Sequence, residues 1–108
     1  MQLKKKIFQN KNVIATLKFQ GSVDGWTAID FHRKADNLGA TLILLKIIDG
    51  PCIGGFSNAS WTSPEFPVFV NDNTAIIFNL TIFLQFRATN LQERAISCNK
   101  NAGICFGD

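Results

Sequence analysis

Apolar residues along this chain come in runs of strand length, separated by short polar clusters that carry turn chemistry. Residues 13–19, with Val13, Ile14, Leu17 and Phe19, are β-branched and apolar enough to predict a strand. The stretch from Gly21 to Gly25 supplies the turn that follows it. The period then changes. Ala28, Phe31 and Ala35 recur at spacings of three and four, while Asp30, Arg33 and Lys34 fall elsewhere, which predicts a helix over residues 28–36 with one apolar face. Thr27 stands three residues before Asp30 in a capping-box arrangement, and Asn37-Leu38-Gly39 offers the left-handed residues that end a helix.

Beyond the helix the period returns to that of strands. Residues 41–48 are almost wholly apolar and lead into Asp49-Gly50, a dipeptide favoured in tight hairpins. The partner strand carries Cys52, Ile53, Gly54, Gly55 and Phe56, and paired glycines within a strand imply a bulge or a neighbouring segment packed closely on them. Residues 57–73 read as an irregular loop in which Pro64 and Pro67 oppose regular pairing around Trp61. Strands are expected again over residues 74–80, 83–87 and 95–98. Antiparallel strands in a meander with one clear helix define an α+β class, a β-sandwich flanked by that helix. Residues 1–12 form a basic lead-in and residues 13–108 the domain.

Composition narrows the function classes. The 108 residues suit one domain, since compact domains usually run to about 100–150 residues. Ten Phe and two Trp, with a charged share of 18%, provide a core and exclude a disordered tail. No apolar run approaches the roughly 18 residues that a membrane helix needs. The basic start lacks the apolar region and cleavage site of a secretory signal. Cys52, Cys98 and Cys105 are odd in number and without CxxC spacing, which argues against a disulfide framework and a zinc site and for reduced thiols inside the cell, in the cytoplasm. The sequons at Asn58 and Asn79 have no role in such a chain.

Candidate chemistry is sparse. His32 is the single histidine, so neither a histidine metal cluster nor a conventional Cys-His pair follows from spacing. Asp24, Asp30 and Asp36 resemble acid-base carboxylates, yet a turn, a helix start and a helix exit account for them. Gly54-Gly55 belongs to no phosphate-binding motif. The run Lys4-Lys5-Lys6 is a solvated tail, and with a net charge of +3 no nucleic-acid partner is expected. Of the thiols, Cys105 in a Gly-rich turn after Lys100 is the best placed for redox sensing, because strands bury Cys52 and Cys98.

The order of motifs carries further information. Gly21 is followed by Asp24-Gly25-Trp26, Phe31-His32, Asp36-Asn37-Leu38-Gly39, Thr41-Leu42 and Gly54-Gly55-Phe56. Then come Ser60-Trp61-Thr62-Ser63, the apolar strand through Phe78, Ala95-Ile96-Ser97-Cys98-Asn99, and Gly103-Ile104-Cys105-Phe106-Gly107-Asp108. This series resembles the TLDc domain shared by the oxidation-resistance proteins of eukaryotes. The motif residues are mainly structural, and the resemblance brings no catalytic, cofactor-binding or metal-binding residue. What it implies is a protein-interaction module linked to protection against oxidative stress. The implied partner is a protein, with subunits of the vacuolar-type proton ATPase as candidates; the alternative is a TLDc enzyme of unknown chemistry. Val23 stands where the family commonly has a basic residue, and Ile104-Cys105 stand where it has Pro-Thr. The sequence stops at Asp108, short of the glycine- and serine-rich stretch and closing strand of a full TLDc domain, so an incomplete TLDc-like fold is expected.

Overall fold

Thr27 opens the principal helix by the predicted device. In a computed structural model describing residues 12–87 and 94–107, its hydroxyl accepts from the Asp30 amide at 3.1 Å while the Asp30 carboxylate accepts from the Thr27 amide at 3.2 Å. Bonds from the Thr27 side chain and backbone hold the Asp30 carboxyl below its ordinary range. The helix, α2 (Ala28–Ala35), follows a single turn, α1 (Gly21–Asp24), and buries Phe31, His32 and Ala35.

Six strands complete the described elements: β1 (Thr41–Lys46), β2 (Cys52–Ser57), β3 (Val68–Val70), β4 (Ile76–Asn79), β5 (Leu84–Arg87) and β6 (Ile96–Cys98). They form two antiparallel sheets, one ordered β1-β2-β4-β5 and the other β3-β6. The expected α+β class with an antiparallel sandwich holds, but the meander does not. The chain leaves the larger sheet after β2 and lays down β3, and only β6, much later, pairs with it. Residues 57–73 therefore include a strand. Pro67 ends just before Val68, so Val68, Phe69 and Val70 keep amide donors for pairing with Cys98, Ser97 and Ile96.

Two other expectations need correction. Residues 13–19 form no strand; residues 12–18 are exposed, and Phe19 alone of this stretch reaches the core, edge-on to Phe31 at 5.5 Å. Their apolar side chains find no facing sheet among the described residues, so local β preference lacks the cross-strand contacts that would express it. The hairpin after β1 is wider than a two-residue turn. Lys46 pairs with Cys52, and Asp49 takes the left-handed conformation at φ 53° inside the connection.

The sheets meet around Trp61, which is fully buried with Phe31, Ala35, Ile96 and Cys98. Ile43 from β1, Val70 from β3 and Phe106 pack against this cluster. The Trp61 ring lies edge-on to Phe31 at 5.7 Å and to Phe106 at 5.6 Å, and its indole N–H donates to Thr41 Oγ1 at 3.0 Å. On the opposite face of the larger sheet, Ile76 and Phe78 are buried against Leu42, Phe56 and Leu80.

The paired glycines explain how the layers approach. β2 keeps continuous register with β1 and β4, so no bulge is present at Gly54 or Gly55. A Cβ on Gly55 would overlap the Phe106 ring, with Cε2 at 2.5 Å, and one on Gly54 would overlap the Ile43 carbonyl and the Phe78 ring. Of the two readings that the sequence allows, close packing is the one that holds.

Candidate functional site

The last turn of α2 carries His32 into the protein and leaves Arg33 and Lys34 outside. Asp36 follows as the C-cap, so the spacing of four residues stacks its carboxylate over the imidazole. His32 Nδ1 lies 2.6 Å from Asp36 Oδ1, and Nε2 lies 2.6 Å from the carbonyl oxygen of Ala102. Both partners are acceptors. Satisfying both requires a proton on each ring nitrogen, so the geometry selects the imidazolium. Burial pulls the His32 pKa down, but the Asp36 hydrogen bond, the Ala102 carbonyl and the Asp36 charge together push it above its ordinary value.

Asp36 also accepts a short hydrogen bond from the Ser63 hydroxyl. The loop bearing Ser63 is aligned by backbone bonds: Asn37 N–H donates to Trp61 O at 2.9 Å, and Gly39 N–H donates to Ser60 Oγ at 2.8 Å. Asn37 at φ 60° and Gly39 at φ 74° take the left-handed conformations that this exit requires. Asn99 fixes the third segment. Its side-chain amide donates to the carbonyls of Pro64 at 3.2 Å and Glu65 at 3.0 Å, and the Lys100 amide donates to Pro64 O at 2.9 Å. Helix exit, loop and turn thus converge on one imidazolium-carboxylate pair.

Beside the pair is an open depression of about 380 Å³ lined by Ile29, His32, Arg33, Ser63 and Lys100. Its chemistry differs from that of a nucleophilic triad, where an imidazole stands between hydroxyl and carboxylate. Here the carboxylate stands between hydroxyl and imidazolium, so the Ser63 hydroxyl donates its hydrogen bond to Asp36 and not to the His32 ring.

The other motif residues lie apart from this cluster. Gly21 sits beneath the Trp26 ring, whose atoms would approach a Cβ there at 2.7 and 2.8 Å, yet Trp26 itself is 78% exposed. Asp24 accepts from the Gln20 amide at 2.8 Å, and Gly25 takes φ 113° with Asp30 filling the space a side chain would need. Gly54, Gly55, Phe56 and Phe78 belong to the larger sheet. Phe106 caps Gly55, Gly107 takes φ 93°, and Gly103 has open space at its Cβ position. Cys98 is buried with its thiol 3.9 Å from Ser60 O, and Cys52 and Cys105 are half-buried. Cys105 directs its thiol to Gly107 O at 3.8 Å. Lys4, Lys5 and Lys6 lie outside the described residues.

Sequence reasoning missed Asp72. Its buried carboxylate accepts from Ser57 Oγ at 2.7 Å, Asn58 N at 2.8 Å, Thr74 N at 2.9 Å and Thr74 Oγ1 at 2.5 Å. Burial raises its pKa, but the bonds from Thr74 and Ser57 prevail and hold it below the ordinary carboxylate range. The spacing Asp72-Asn73-Thr74 was the available signal, an Asx turn whose side chain binds the amide two residues on. Ser63 and Ala102 offered no comparable signal.

Among the described residues no helix is long and apolar enough to cross a membrane, and no group of three His, Cys, Asp or Glu is placed to hold a metal ion. Compared with known families, the sequence matches the TLDc domain over residues 1–108. No curated protein and no solved structure matches it.

Proposed function

The chain belongs to the TLDc domain family, and from that premise we propose that it is a non-catalytic protein-interaction module. It acts in protection against oxidative stress by binding subunits of the vacuolar-type proton ATPase in the cytoplasm. The observation that carries the non-catalytic part is the double engagement of His32: both nitrogens are held by acceptors within the protein, leaving neither to exchange a proton with a substrate. The fold around it serves as a rigid platform, with the exposed positions of residues 57–73 as the contact surface.

The test is co-purification of the full chain with ATPase subunits, alongside a stress-survival assay. Exposed positions in residues 57–73, such as Phe66, should be needed for both. Absence of every pump subunit from the captured material would refute that partner. A second reading, a TLDc enzyme, draws on the depression beside His32. His32→Gln separates the two: lost protection with fold and partner binding intact would favour the enzyme, whereas protection that tracks the amount of folded protein supports the interaction module.

A further inference from the structure

The depression beside α2 has cationic walls and no carboxylate in its lining. The nearest acids already have partners. Asp30 serves the helix cap through Oδ2 and meets Arg33 Nη1 through Oδ1 at 3.3 Å; Asp36 is taken by His32 and Ser63. Arg33 and Lys100 are held more loosely. The Arg33 side chain is 54% exposed and its second bond, from Nη2 to Asp24 O, is also long at 3.3 Å, while Lys100 meets Glu65 at 3.6 Å with side-chain exposures of 49% and 72%. Pairs of this kind contribute little and exchange readily for another anion.

The lining also has an apolar wall in Ile29, which is 72% exposed. A free anion gains nothing from such a wall, whereas a peptide that alternates acidic and apolar side chains satisfies both features. Arg33 and Lys100 both belong to the lining, so an entering carboxylate meets a guanidinium, able to accept it as a planar fork, and an ammonium.

We propose that this depression is the docking point for an acidic-apolar segment of a protein partner, with a Glu or Asp carboxylate seated between Arg33 and Lys100 and an apolar neighbour against Ile29. The inference rests on the protein-interaction reading and specifies the partner's chemistry. Glu65 acts as the resident competitor, released from Lys100 when the segment enters.

The test titrates the full chain, labelled with ¹⁵N, with a short capped peptide alternating Glu and Leu, with its Gln-Leu counterpart, and with inorganic phosphate. Amide shifts should concentrate at Ile29, Arg33, Ser63 and Lys100 for the Glu-Leu peptide. Affinity should fall several-fold for Gln-Leu, for the Arg33→Gln/Lys100→Gln variant, and in about 1 M salt, where screening extends only about 3 Å. Equal binding of the two peptides, shifts centred elsewhere, or phosphate matching the Glu-Leu peptide would overturn the proposal. Should the double variant unfold, Lys100→Gln alone serves, because its side chain is half exposed and bonded only at the surface. Pump-subunit capture that survives the folded double variant would also overturn the docking point while leaving the interaction reading intact. Failure of capture by the native chain, with peptide binding as expected, would remove the pump as partner and support the depression as a site.

Discussion

Placing a side chain on Gly55 tests how the layers are held apart. A Cβ there would fall on the Phe106 ring, 2.5 Å from Cε2 and 3.1 Å from Cε1, so the ring must move. It has little freedom to do so. Phe106 stacks edge-on against Trp61 at 5.6 Å and bridges to Ile96, and its neighbours are fastened by Ser97 N–H to Cys105 O at 3.1 Å and Gly107 N–H to Ala95 O at 2.9 Å. Overpacking of this kind costs about 1–3 kcal/mol, and losing the aromatic contact adds about 1 kcal/mol. Valine's better strand preference offsets about 1 kcal/mol. Gly55→Val should therefore destabilise by about 1–3 kcal/mol, read as a lower urea midpoint at unchanged m-value. A double-mutant cycle with Phe106→Leu isolates the cause, because a smaller, flexible partner should absorb most of the Gly55→Val cost. An unchanged midpoint, or the same cost in both backgrounds, would refute the close-packing argument.

Two pH dependences and one hydrogen bond provide further checks. Because the folded pKa of His32 is raised, its stabilisation is complete below the unfolded value of about 6.5 and is lost as pH rises through the folded value; Asp36→Asn should flatten that alkaline limb in urea unfolding across pH 6 to 9. Asp72 has the opposite sign: its contribution is complete above about 3.8 and lost as pH falls through its lower folded value, so Asp72→Ala should remove part of the acid-side loss. The same variant leaves Ser57, Asn58 and Thr74 donors without their acceptor and should cost about 2–4 kcal/mol near neutrality, measured by denaturant midpoint. Thr41→Val strands the buried Trp61 indole N–H and should cost about 1–3 kcal/mol, with a change in near-ultraviolet circular dichroism.

The elements most legible in the sequence are those whose determinants are local. Thr27 and Asp30 cap the helix within a single turn, and Asn37 and Gly39 end it by left-handed geometry, so its observed span falls one residue short of the expected 28–36. The strands β1, β4, β5 and β6 lie within the runs that announced them, and β2 extends one residue beyond its run, to Ser57. Pairing partners were less legible. Val68, Phe69 and Val70 are short and flanked by Pro67, so their strand exists through Ile96, Ser97 and Cys98, about 28 residues further on. Residues 13–19 show the converse, a sequence with strand preference and no described partner to realise it.

The site was hidden for the same physical reason. His32 and Asp36 stand four residues apart on a visible helix, but the groups that set their state, Ser63 and the Ala102 carbonyl, arrive through contacts 27 and 70 residues distant. A backbone carbonyl has no residue identity to read, and it is this acceptor that forces the second proton onto the imidazole. Charge at His32 is therefore a property of the tertiary fold. Asn99, which holds the loop at Pro64 and Glu65, in turn positions the Ala102 segment through Asn99 O and the Ala102 amide at 3.2 Å. It follows that a change at Asn99 reaches His32 through the backbone of this turn: loosening it moves the Ala102 and Asn99 carbonyls from the imidazole, lowers the pKa toward its ordinary value, and weakens the tie between α2 and the segment that carries Lys100.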